Sequence, residues 1–265
     1  MCLAQRLANS LPLRPMNLPT GNLEAIRHQV ESCLQALPAG VEPSTGDSDN
    51  GPAMLNEAFG QLLDVMQRME ADQAAQTTSA AASRGGTGDV TELGEYAMQL
   101  QDSLAGHASQ SGDDDQRQAI ATLAVELALW IAAHGGRIDT LEPVVDGLAM
   151  IANSIRDPAD LESLGRVMGR ITEAVAPVIR EDLEKINPGR PWRVLLLNRS
   201  IVATRSHNTR VMEEAFAVLT RHLPEDAARF FTEGMQQMDA LNYPPHVREV
   251  MEKYHRQWTL NRSLH

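Results

Sequence analysis

The chain has 265 residues, 43% of them hydrophobic but only 4% aromatic, and a formal net charge of −12. Alanine, leucine, valine, isoleucine and 12 methionines must therefore fill its core, and such side chains suit helices better than strands. The first 160 residues carry 22 Asp and Glu against 8 Arg. That balance argues against nucleic acid and against an anionic membrane surface as partners, since both need a basic footprint.

Residues 1–20 are read as a flexible N-terminus without the basic-then-apolar pattern of a secretory signal. Two cysteines, Cys2 and Cys33, are too few for a disulfide framework or a cysteine-rich zinc site, and the expected location is the cytoplasm. Leu23, Ile26, Val30, Cys33 and Leu37 recur three and four residues apart, which is one stripe of a helix ended by Pro38 and Gly40. After a polar stretch, 42–51, a second helix is expected from Pro52. Its stripe of Leu55, Phe59, Leu62, Met66 and Met69 follows the a and d positions of a heptad. Such a stripe fits an amphipathic helix on a bundle or a seam to a second copy of the chain. Residues 74–89 are small, polar and glycine-rich and read as a linker. Leu93, Ala97, Leu100 and Leu104 form a third stripe. Asp113, Asp114 and Asp115 then sit where negative charge favours a helix start.

From Gln116 onward helices are expected at 116–134, 138–155, 158–186, 191–206, 208–222, 225–240 and 244–260, separated by Gly135-Gly136, Asp157-Pro158, Asn187-Pro188-Gly189, Leu223-Pro224 and Asn242–Pro245. Connections this short make successive helices antiparallel neighbours. The most apolar stretch, Ala119–Ala133, would span only ~22 Å as a helix against ~30 Å of hydrocarbon, so it reads as a buried core helix. The sequence predicts an all-α protein, an antiparallel multi-helix bundle or an irregular array of α-hairpins. An N-terminal helical segment over 21–107, with its linker near 74–89, joins a C-terminal helical domain over 116–260 through flexible loops. The segments 142–148, 173–179 and 213–219 echo one another, as second helices of repeated helix pairs would.

No P-loop, dinucleotide fingerprint, nucleophile elbow or HExxH pattern occurs, and the single Glu-x-x-His, Glu252 to His255, is one short of the two that a di-iron bundle needs. No catalytic residue, cofactor or metal is therefore expected. The unusual polar positions lie inside apolar helices: Glu126 in ATLAVELALWIAA, and Asn198 and Arg199 in WRVLLLNRSIVA. A buried charge is tolerated when paired. The simplest arrangement sets Glu126 against Arg199, with Asn198 completing the hydrogen bonds. That is either a structural ion pair or a pocket for a small polar or anionic ligand. Gly165 and Gly169 allow close helix packing. Arg193, Arg199, Arg205 and Arg210, with His207, offer an anion a surface if they are not simply a solvated face. Near the C-terminus Phe231, Met235 and Met238 recur at helical spacing, as core packing or as a Met/aromatic groove for a partner helix.

The function expected is a non-catalytic helical interaction module, an adaptor, assembly factor or regulator. It would bind another protein, or a second copy of itself through the heptad stripes, using Leu55, Phe59, Leu62, Met66, Met69, Phe231, Met235 and Met238. The alternative is a helical bundle, an enzyme included, that binds a small polar or anionic ligand around Glu126 and Arg199.

Overall fold

The computed structural model describes residues 18–37, 51–78, 87–108 and 114–260. Over these residues the protein is all-α. Eleven helices follow one another: α1 (Leu23–Gln35), α2 (Pro52–Thr78), α3 (Thr87–Ala108), α4 (Asp114–Ala133), α5 (Glu142–Ser154), α6 (Pro158–Ala174), the one-turn α7 (Pro177–Arg180), α8 (Pro191–Arg205), α9 (Thr209–His222), α10 (Pro224–Leu241) and α11 (Pro245–Leu260). Six of them open on proline, whose fixed φ suits the first turn and whose missing N–H would be unbonded there anyway. Others are capped by side chains. Asn22 accepts from the Ala25 amide, and Asn208 from the Arg210 and Val211 amides.

The centre of the fold is α4. Every residue from Leu123 to Ile131 is buried, because α1, α3, α5 and α6 all pack against this helix. At its C-terminal end the Trp130 indole donates to Glu70 Oε1 of α2 at 2.9 Å, and His134 stacks on the indole at 4.4 Å. The closest approach is that of α5, where a Cβ on Gly147 would lie 2.3 Å from the Ala121 carbonyl oxygen. Beyond α4, α6 packs on α8 and α8 on α9, and α9–α11 close the molecule. The hydrophobic core is continuous from Ile26 to Met251. Among the described residues no helix is long and apolar enough to cross a membrane.

The expected helix over 158–186 stops at Ala174. Pro177 disfavours helical backbone at Ala176 and cannot donate to the turn before it. The freed backbone instead pairs with the segment after α4: Ile138 N donates to Ala174 O at 2.9 Å, and Ala176 N to Ile138 O at 3.0 Å. This pairing also holds Ile138 extended, so α5 starts at Glu142 rather than near 138. Segment 173–179 thus straddles the end of α6, the bridge and α7, and it is not the helix that the internal echo requires. Of the expected linker, 74–78 belongs to α2 and 87–89 to α3, while 79–86 lies outside the described residues, as do 1–17, 38–50, 109–113 and 261–265. The boundary expected between 107 and 116 falls at the α3–α4 connection, and those two helices pack along each other.

Gly147→Ala should destabilise the protein by about 1–3 kcal/mol, because the new methyl meets a helix backbone that cannot move away. Gly60→Ala, on α2 with nothing within 4 Å of the new Cβ, should stabilise it by up to ~1 kcal/mol through helix propensity. Urea denaturation of both variants reads the contrast.

Candidate docking site

The heptad stripe of α2 is part of the protein's own core. Leu55, Phe59, Leu62 and Met66 are buried and Met69 packs beside them, with α1 and α3 as neighbours. The stripe therefore presents no seam to a second copy. Its period is that of any helix with one buried face. Phe231 is likewise core, ringed by Phe216, Phe230 and Tyr254 at 5.1–5.3 Å. Met235 is half-buried against the same cluster. Met238 is buried too, but it lines an open groove of about 510 Å³ between α8 and the α10–α11 hairpin, together with Ile201, Phe230, Tyr243 and Met251.

Glu126 and Arg199 are not brought together. Glu126, buried in α4, accepts from two backbone amides of the segment leading into α1, Thr20 N at 3.0 Å and Gly21 N at 2.6 Å. Gly21 has φ +73°, and a Cβ there would lie 2.5 Å from Leu129 Cβ and 2.8 Å from the Leu129 carbonyl carbon. Only glycine lets this segment lie flat on α4. Burial pushes the Glu126 carboxyl above its ordinary range, and the two amides offset part of that. Arg199 is buried on α8, with its guanidinium over Gly169 of α6 at 3.1 Å from where a Cβ would stand. Its Nε has no acceptor among the described residues, and the carboxylates whose charge acts on it are Glu173 and Glu214. Desolvation lowers its pKa. Asn198 is half-buried and joins neither residue. None of the three lines the larger clefts. The Gly165–Gly169 pair does serve close packing: a Cβ on Gly165 would stand 3.0 Å from Val211 of α9. The arginine series is already engaged. Arg193 forks onto Asp226, Arg205 donates to the Ala152 and Ile155 carbonyls at the end of α5, and Arg210 pairs with Glu214.

The least ordinary surface lies elsewhere, around the turn from α7 into α8. Val178, Leu183 and Ile186 are 64%, 79% and 100% exposed. The loop carrying Leu183 and Ile186 is braced from beneath. Asp182, in left-handed conformation at φ 51°, and Arg190 form a buried two-pronged ion pair, Nε to Oδ1 and Nη2 to Oδ2, the latter at 2.8 Å. Arg190 Nη1 also donates to the Asn187 carbonyl at 3.1 Å, and Gly189 N to Asn187 Oδ1 at 2.9 Å. One guanidinium thus ties the two ends of the turn together beneath the exposed Leu183 and Ile186.

Beside the loop is a cleft of about 480 Å³ whose walls include Leu141, Val178, Ile179, Leu183 and Trp192. The opposite wall is fixed to α3: Thr140 Oγ1 donates to Glu95 at 2.9 Å and the Arg137 amide to Thr91 Oγ1 at 3.0 Å. The cleft is acidic. Asp139, Glu142 and Glu184 line it without an ion-pair partner among the described residues, and the cation that lines it, Arg190, is neutralised by Asp182. Sequence reasoning located the Asn187-Pro188-Gly189 turn but missed this site. The signal available was an Asp and an Arg bracketing a turn that carries leucine and isoleucine. Comparisons with protein-family models, with curated proteins and with solved structures find no match to this chain.

Two outcomes test these assignments. Glu126→Ala strands two amides and should cost about 2–4 kcal/mol, whereas Arg199→Met removes a buried guanidinium that forms no ion pair among the described residues and should fall within about 1 kcal/mol of the parent. Their effects should add within about 0.5 kcal/mol in a double-mutant cycle. A carboxyl raised in the folded state holds its proton longer there than in the unfolded chain. Stability therefore falls as pH rises from the ordinary carboxylate range through the folded value of Glu126. Glu126→Gln keeps an oxygen acceptor and should remove that fall in pH-dependent urea titrations. For the loop, Arg190→Ala leaves Asp182 buried and alone and should cost about 3 kcal/mol or more. Arg190→Lys should recover only part of this, since lysine cannot make the fork.

Proposed function

We propose that the protein is an interaction module that holds an apolar segment of a partner protein, flanked by Lys or Arg, in the cleft between the 181–190 loop and the N-terminus of α5. The observation that carries this reading is the braced loop. Exposed leucine and isoleucine side chains on a loose surface turn would mean little. Here a buried ion pair fixes the turn that displays them, next to an apolar cleft. Large apolar side chains exposed beside a partly apolar cleft favour a binding role. The acidic rim sets the partner's sign, because Asp139, Glu142 and Glu184 favour basic flanks and repel acidic ones. The reading of Glu126 and Arg199 as a ligand pocket has no geometric support, since the two residues serve different helix contacts.

The test uses two series of short synthetic peptides with one leucine- and isoleucine-rich centre, flanked by Lys and Arg in one series and by Glu in the other. In fluorescence anisotropy the basic series should bind at least about ten-fold more tightly, and the preference should shrink with added salt. Leu183→Asp with Ile186→Asp should abolish binding while leaving the helical circular dichroism unchanged. Equal affinity for both series, or binding indifferent to the double substitution, overturns the proposal.

A further inference from the structure

The chemistry that the cleft selects is present in this chain. Residues 1–17, MCLAQRLANSLPLRPMN, contain Leu3, Leu7, Leu11, Leu13 and Met16 with Arg6 and Arg14 and no Asp or Glu. In an otherwise acidic first half this is an apolar, purely cationic stretch, the charge complement of a cleft rimmed by Asp139, Glu142 and Glu184. We infer that residues 1–17 are an intramolecular occupant of the cleft and compete there with the partner segment, an inference that rests on the function proposed above.

The point of departure permits it. Pro19 is buried, and Gly21 is tied to Glu126 and lies against Leu129 of α4. From Leu129 to Leu141 in the cleft wall there are four residues of helix and eight beyond, about 35 Å at most. The segment from Leu18 to Gly21 adds no more than about 10 Å. A fully extended chain carries Leu3 up to about 50 Å from Leu18, enough to reach the cleft. Tethering makes such an occupant effective even when its contacts are weak, because its local concentration is fixed by the chain and not by the solution.

Cysteine chemistry supplies the probe. Cys33 is buried and its thiol is pushed up to about 11, so a nitroxide maleimide at neutral pH reacts at Cys2. In the full chain with methyl-labelled Leu, Val and Ile, the nitroxide should broaden the resonances of Val178, Leu183 and Ile186. Arg6→Glu with Arg14→Glu should restore them. The same double substitution should tighten binding of the basic peptide probes about ten-fold, the factor lost when a site is nine-tenths occupied. Full methyl intensity in the labelled parent protein overturns the inference. So does broadening that appears only when spin-labelled and methyl-labelled copies are mixed, since the occupant would then come from a second molecule. Probe binding to both proteins with no broadening removes this inference and leaves the docking reading standing. No probe binding to either protein removes both.

Discussion

A helix that is covered on all sides cannot keep a charge unless something brought to it satisfies that charge. α4 is such a helix, and its burial from Leu123 to Ile131 places Glu126 in the middle of the protein. No cation among the described residues answers it. The backbone amides of Thr20 and Gly21 do, and in meeting the carboxylate they fix the entry and register of α1. Gln29 of α1 then donates to the Ala119 carbonyl near the other end of α4. α1 therefore runs antiparallel to α4, and the remaining helices assemble around a centre already closed on that flank. The site on the α7–α8 turn works on the same principle. There Arg190 gathers Asp182 and the turn's carbonyls into one enclosed group, which fixes the loop that carries Leu183 and Ile186.

Most of the helices were legible because their apolar residues recur at helical spacing and proline or glycine punctuates them. Pro158, Pro191, Pro224 and Pro245 sit within one residue of an expected helix start. The one substantial misreading, over 158–186, came from weighing apolar periodicity above Pro177. The bridge that replaces the helix joins Ile138 to Val175, 37 residues apart, and no local pattern encodes it. The heptad of α2 was legible as a stripe but not as to its partner, because a buried face reads alike whether α1 and α3 or a second chain covers it.

The polar residues show the limit more sharply. That Glu126 and Arg199 would be buried was visible from their apolar neighbours. Their partners were not, since Glu126 is satisfied by main-chain groups, which every residue but proline carries, and Arg199 rests over a glycine. Pairing opposite charges by sign alone therefore chose the wrong geometry. The braced loop was hidden for a related reason. Asp182 and Arg190 are ordinary surface residues by type, and only the left-handed backbone at Asp182 and the turn at Asn187–Gly189 fold them beneath the leucine and isoleucine between them.

The clasp on Glu126 also sets how freely its own residues can vary. Position 20 contributes an amide to the carboxylate, which excludes proline, and a hydroxyl that accepts from Asn22 and that serine can replace. Position 21 contributes the second amide, but from left-handed backbone pressed on α4, and it admits glycine alone. Two adjacent residues with the same main-chain duty are thus under different substitution pressures: position 21 is fixed as glycine, while position 20 is held only by its hydroxyl, which accepts from the Asn22 side chain at 2.8 Å. A family of related chains, aligned on α4, would show an invariant glycine beside a neighbour that is never proline and is often a hydroxyl residue, opposite a carboxylate or an amide side chain at position 126.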